Sequence, residues 1–164
     1  MKRILILCVE DEQDVLTALI EDLAALEDAF PIESADSAAD AREVIERVHQ
    51  RGDRIGLIFC DHMMAGEKGV ELLVHLQSVE KTAASRKVLV TAHAGMEDTI
   101  QAVNQAGLNY YISKPWNPDE LLDVARKQLS EYILEQEIDP RPYLNMMDSR
   151  LLAEAVRQGL FGDR

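Results

Sequence analysis

Five side chains able to do chemistry stand where apolar runs of this 164-residue chain stop. Glu10 and Asp11 follow Arg3–Val9, Asp61 follows Ile55–Cys60, Thr91 follows Arg86–Val90, and Lys114 lies just past Tyr110–Ile112. Three carboxylates supply hard oxygen ligands of the kind that hold Mg2+ while it keeps several waters. Brought together without a cation, they would repel and raise one another's pKa. In such a set Asp61 can act as a nucleophile on phosphorus and carry the group as an aspartyl phosphate. The cation would neutralise charge on the phosphoryl oxygens. Lys114 would pair with another oxygen as a compact ammonium, and Thr91 would donate a hydrogen bond. Catalysis of this kind is positioning and electrostatics.

Each residue also has a plainer role on its own. Asp61 can simply cap a loop by bonding nearby amides. The acidic run Glu10-Asp11-Glu12 can complement the dipole of a following helix, the role assigned to Glu12. Thr91 alone reads as a turn former and Lys114 as a solvated surface residue. Joint occurrence at four strand ends favours a site, and that depends on the elements that carry the ends.

The short apolar runs read as buried parallel strands, with a further short strand at Pro31–Ala35. Helical periodicity separates them over 14–28, 37–50, 70–79 and 96–106, the last closed by Gly107, and again from Pro118. Strands and helices alternating five times predict an α/β, (βα)5 doubly wound parallel sheet, for which we take the flavodoxin-like order 2-1-3-4-5. That order brings the carboxyl ends of the first, third, fourth and fifth strands to one crevice, where open α/β sheets bind ligands.

Residues 131–164 exceed this unit and read as a helical C-terminal extension to a domain at 1–130. The fifth helix continues over 131–137, Asp139-Pro140-Arg141-Pro142 breaks it, and Asp148 or Ser149 caps a last helix. Its apolar stripe is Leu151, Leu152, Ala155, Val156 and Leu160. So short a piece is too small for a separate output domain with its own core. The stripe must be covered either by folding back or by a dimer or partner contact.

A net charge of -13 argues against unaided binding to nucleic acid or an anionic membrane. Cys8 and Cys60 lie inside predicted strands and read as structural thiols; no CxxC or HxxxH spacing supports zinc with His62 and His93. The apolar run after Met1-Lys2-Arg3 is too short for a signal sequence or a span, which points to the cytoplasm.

With these residues in view, the chain over about 3–130 resembles the receiver domain of two-component response regulators. The matching residues are Glu10-Asp11, Asp61 with Met64 and Gly69, Thr91-Ala92, and Lys114-Pro115. The resemblance implies that Asp61 is the phosphoacceptor and that Glu10, Asp11, Asp61 and the backbone carbonyl of Met63 hold Mg2+. It implies that Lys114 and Thr91 contact the phosphoryl group, that Thr91 and Tyr111 form a switch pair, and that the Lys114–Pro115 bond is cis. The donor would be a histidine kinase or a histidine phosphotransfer protein. Output would be a phosphorylation-dependent change in contacts with a downstream protein, with no direct nucleic acid or membrane partner. A homodimer would form through the face of the fourth helix, fifth strand and fifth helix, or through the last helix. The family is not otherwise enzymatic beyond this phosphoryl chemistry.

There are departures. The acidic pair is Glu-Asp rather than Asp-Asp. Ala65 stands where the family frequently has proline, which implies a freer loop. Met63 and His93 occupy positions that tune phosphoryl lifetime. Trp116, on the rim, is either a partner anchor or a packing residue. The alternatives are a phosphorylation-independent pseudo-receiver that binds or dimerises, and the receiver part of a larger regulator. A haloacid-dehalogenase-type phosphatase needs a second Asp where Met63 stands.

Overall fold

In the computed structural model, residues 2–92, 99 and 103–159 are described. Strands β1 (Ile4–Val9), β2 (Ile32–Ala35), β3 (Arg54–Cys60), β4 (Arg86–Thr91) and β5 (Tyr110–Ser113) form one sheet. All four strand pairings are parallel, as the alternation of elements predicts, and the order is β2-β1-β3-β4-β5, the flavodoxin-like order taken for the sheet. β1 is buried along its whole length because helices cover both faces, which is why its sequence is an unbroken apolar run. Ile4, Ile6 and Cys8 point into one core, while Leu5, Leu7 and Val9 point into the other.

α1 (Gln13–Leu23) and α5 (Pro118–Glu135) pack on the first face; α2 (Ala38–Gln50) and α3 (Gly69–Ser78) pack on the second. Local chemistry sets their ends. Ser37 caps α2 by accepting from the Asp40 amide at 3.0 Å, and Gly52, with φ of +84°, lets the chain turn after it. Asn117 accepts from the amides of Asp119 and Glu120, with Pro118 opening α5. α1 is shorter than the periodicity over 14–28 suggests: it gives way to a 3-10 turn at Ala24–Leu26. The helix expected over 96–106 lies largely outside the described residues, as do His93 and Leu160; Thr99 and residues 103–105 are helical.

A four-residue helix, α4 (Glu80–Ala83), was not expected. Lys87 closes it from inside: its Nζ donates to the carbonyls of Thr82 at 3.1 Å, Ala83 at 3.3 Å and Ser85 at 2.7 Å. A lysine bonding the last carbonyls of a helix is a C-terminal cap. Burial pushes its ammonium pKa down to about 8.

α5 runs without a break from Pro118 to Glu135, and Tyr132 and Ile133 belong to the first core. A 3-10 turn at Arg141–Tyr143 then sends the chain back. Tyr143 stacks on Phe30, with ring centroids 5.1 Å apart and planes 13° off parallel. The hydroxyl of Ser130 accepts from the Asp148 amide at 2.8 Å, pinning the start of α6 (Ser149–Arg157) to α5. Asp148 caps α6. Of the expected stripe, Ala155 is buried, Leu151 and Leu152 are half-buried, and Val156 is exposed. The extension is therefore held by Tyr143, Met147 and Ala155 rather than by the whole stripe.

Candidate functional site

The sheet register aligns the carboxyl ends of its inner strands. Val9 sits beside Cys60, Cys60 beside Leu89, and Thr91 beside Ser113. The next residues continue the ladder: Glu10 N–H donates to Ala35 O at 3.0 Å, Asp61 N–H to Val9 O at 3.0 Å, and Lys114 N–H to Thr91 O at 3.1 Å. Rigid backbone thus delivers Glu10, Asp61 and Lys114 to one place. The oxygens of Glu10, Asp11 and Asp61 lie within 4.8 Å of one another. Glu10, Asp61 and Thr91 are buried, while Asp11 is exposed.

Lys114 Nζ forms an ion pair with Glu10 Oε1 and lies 3.4 Å from Asp61 Oδ1. The other Glu10 oxygen accepts from the Glu12 amide at 3.2 Å. Burial pushes the Glu10 carboxyl up; the Lys114 and Glu12 bonds pull it down, Asp61 adds an upward push, and the net direction is up. Burial pushes Lys114 down, but the bond to Glu10 and the charges of Asp61 and Glu10 outweigh it, so the ammonium is favoured. Asp61 Oδ1 is buried without a hydrogen-bond partner. A buried carboxylate oxygen held only by the nearby Lys114 charge, among three hard donors, is what a small, hard cation and an attacking carboxylate both require. The donor set therefore fits Mg2+.

Downstream of Asp61 the chain is wound tightly. The carbonyl of His62 accepts from Met64 N–H at 3.1 Å and Gly69 N–H at 2.9 Å. His62 itself is buried, and its Nδ1 accepts from Val70 N–H at 3.3 Å, serving an amide at the start of α3 that Lys68 does not cap. A Cβ on Gly69 would lie 1.9 Å from the Asp61 carbonyl oxygen, so only glycine allows this approach. Ala65 does not leave the loop free. Its amide donates to Asp11 Oδ2 at 3.0 Å, and Glu67 pairs with Arg42 of α2. His62, Arg42 and Glu67 carry no strand-end signal, and nothing local in the sequence marks them.

Met63 puts its side chain in solvent, 58% exposed. Tyr111 is half-buried against the core beneath α2 and α3. The Lys114–Pro115 bond is cis. Trp116 packs on the first core and donates from Nε1 to Asp22 Oδ2 at 2.8 Å, which is the packing role. Cys8 and Cys60 are buried free thiols on opposite faces of the sheet, and burial pushes both up. Among the described residues no helix is long and apolar enough to cross a membrane.

Comparison with known proteins agrees with this geometry. Residues 6–126 match the family model of the response regulator receiver domain. The hydrogenase transcriptional regulatory protein HoxA of Cupriavidus necator is 30% identical over 162 residues, covering 94% of this chain and 32% of HoxA. The alginate biosynthesis transcriptional regulatory protein AlgB of Pseudomonas putida is 31% identical over 125 residues, covering 76% of this chain and 25% of AlgB. The chain thus spans about a third or less of the length of these relatives. A CheY-like receiver domain protein from Methanospirillum hungatei superposes with a TM-score of 0.70 at 27% identity, covering 82% of this chain and 99% of that one. Phosphorylation-dependent signalling is the general role of such domains, which generally bind Mg2+ at an acidic pocket. With the sheet order, the strand-end residues and the family match in agreement, the chain belongs to the response regulator receiver domain family.

Proposed function

We propose that Asp61 accepts a phosphoryl group from the phosphohistidine of a histidine kinase or phosphotransfer protein. The observation that carries this is the gathering of the Glu10, Asp11 and Asp61 carboxylates with the Lys114 ammonium in one pocket. An Asp61 oxygen forms the new bond to phosphorus as the P–N bond to the donor imidazole breaks; the imidazole leaves with the bonding pair and takes a proton. Lys114 pairs with a phosphoryl oxygen and Thr91 donates its hydroxyl to another. Glu10, Asp11, Asp61 and the Met63 carbonyl would hold Mg2+, which supplies positive charge against the phosphoryl oxygens.

The new charge is read by Thr91 and Tyr111. Thr91 moves toward the phosphoryl group and Tyr111 turns into the space it leaves. That alters the face around β5 and α5 for a downstream protein or a second copy of the chain. Residues 1–130 act as the receiver and 131–164 as its extension, tied to it through Tyr143 and Met147. The working place is the cytoplasm, where such a donor would act. Intact mass after incubation with acetyl phosphate and Mg2+ tests the assignment. A single phosphoryl adduct on the wild type and none on Asp61→Asn is expected. An adduct that survives in Asp61→Asn would remove Asp61 from the role. Continuous release of phosphate from esters would replace the proposal with a hydrolase.

A further inference from the structure

Arg42 of α2 reaches across to the loop that follows Asp61. Its Nη2 donates to Glu67 Oε1 at 2.7 Å and its Nη1 donates to Glu67 Oε2, a two-pronged fork on one carboxylate. Its Nε faces Nδ1 of His75 on α3 at 3.4 Å. One guanidinium therefore joins α2, the loop and α3. The Arg42 bond holds the Glu67 carboxyl below the usual range. Most exposed ion pairs contribute little; this one is distinguished by what it holds.

The loop turns at Gly66, whose φ of +82° only glycine adopts freely. On one side of that glycine the Ala65 amide grips Asp11 Oδ2; on the other Glu67 is gripped by Arg42. The turn is pinched from the pocket side and from the α2 side at once. Asp11 is exposed, and the Ala65 amide is the contact that orients its carboxylate. Whatever fixes the turn also fixes Asp11.

We propose that Arg42 and Glu67 are positioning residues: their ion pair fixes the turn so that the Ala65 amide presents the Asp11 carboxylate to a divalent cation. This rests on the reading of the pocket as a cation-assisted phosphoacceptor site.

A through-space charge effect makes the opposite forecast for Arg42 and the same one for Glu67. Removing the Arg42 cation would then tighten Mg2+ binding, and removing the Glu67 anion would weaken it. Positioning weakens binding in both cases. Arg42→Lys separates the two further, because it keeps the charge and loses the fork. The experiment uses the full chain with Arg42→Met, Arg42→Lys and Glu67→Gln. Mg2+ is titrated and followed by amide chemical shifts, and hydrogen exchange of the Ala65 amide is measured in metal-free protein. Weakening of Mg2+ binding by about three- to tenfold in all three variants is expected, somewhat below the usual effect of a direct partner of a metal ligand. Faster Ala65 exchange without cation is expected beside it. Tighter binding in Arg42→Met, unchanged binding in Arg42→Lys, or unchanged Ala65 exchange in all three would each overturn the proposal. If the wild type took no phosphoryl group, the phosphoacceptor reading would fall, and the titration and exchange data would still decide this one.

Discussion

Glu10 is pulled two ways, since burial favours its neutral acid while Lys114 and any bound cation favour its anion. Its folded-state pKa stands above the ordinary 4.5. A group raised on folding contributes stability that is fully present below its unfolded pKa and lost as pH climbs through the folded one. The amide of Glu10→Gln does not titrate. In cation-free buffer Glu10→Gln should therefore gain on the wild type as pH rises from about 4 to 7, read by urea unfolding at each pH. Adding Mg2+ at neutral pH should stabilise the wild type more than the variant, because binding to the native state adds stability. A difference flat across that pH range would contradict the assignment. Glu10, Asp61 and Lys114 were legible because each interrupts an apolar run at a strand end. His62, Arg42 and Glu67 were not, because their partners come from another element or from beyond a turn, and no local pattern marks such pairs.

Among the elements, α3 begins against the backbone of Asp61, an approach that Gly69 allows. Gly69→Ala would press a methyl group onto the Asp61 carbonyl, whose residue is tied to the sheet through its N–H, so the helix must retreat. The expected loss is about 3 kcal/mol, the upper part of the range for overpacking, with a fall in phosphoryl uptake from acetyl phosphate. Gly66→Ala is the control. It has a left-handed φ but open space around the added carbon, so only about 1–2 kcal/mol of backbone strain is expected. Equal losses in the two, measured by urea unfolding, would rule out the steric account. The five strands and their parallel pairing followed from apolar runs alternating with helical stripes; the order of the sheet did not, because the same alternation suits more than one doubly wound order. α4 did not, because a four-residue helix has no periodicity and depends on Lys87 from the strand behind it. Nor did the early end of α1, where apolar spacing continued into a 3-10 turn.

For the molecule as a whole, the extension is part of the core. Tyr143 and Met147 are buried with residues of α1 and α5, and Ser130 ties the chain where α6 begins. Tyr143→Ala should destabilise the protein by about 3 kcal/mol or more through the lost ring and the cavity beside Phe30. Val156→Ser, at a position 60% exposed, should change stability by less than about 0.5 kcal/mol in urea unfolding. The reverse ranking would mean that the extension is anchored by the outer side of α6. Periodicity gave α6 and its cap, but not where it lies, since the hydroxyl that ties its start belongs to Ser130 of α5 and no local pattern marks that pair. Trp116 is the chain's sole tryptophan, two residues from Lys114, with its indole N–H held by Asp22. Its emission should therefore report on the β5–α5 junction of unlabelled protein, and a change in that emission on adding Mg2+ or acetyl phosphate is the outcome expected if the junction moves with the pocket.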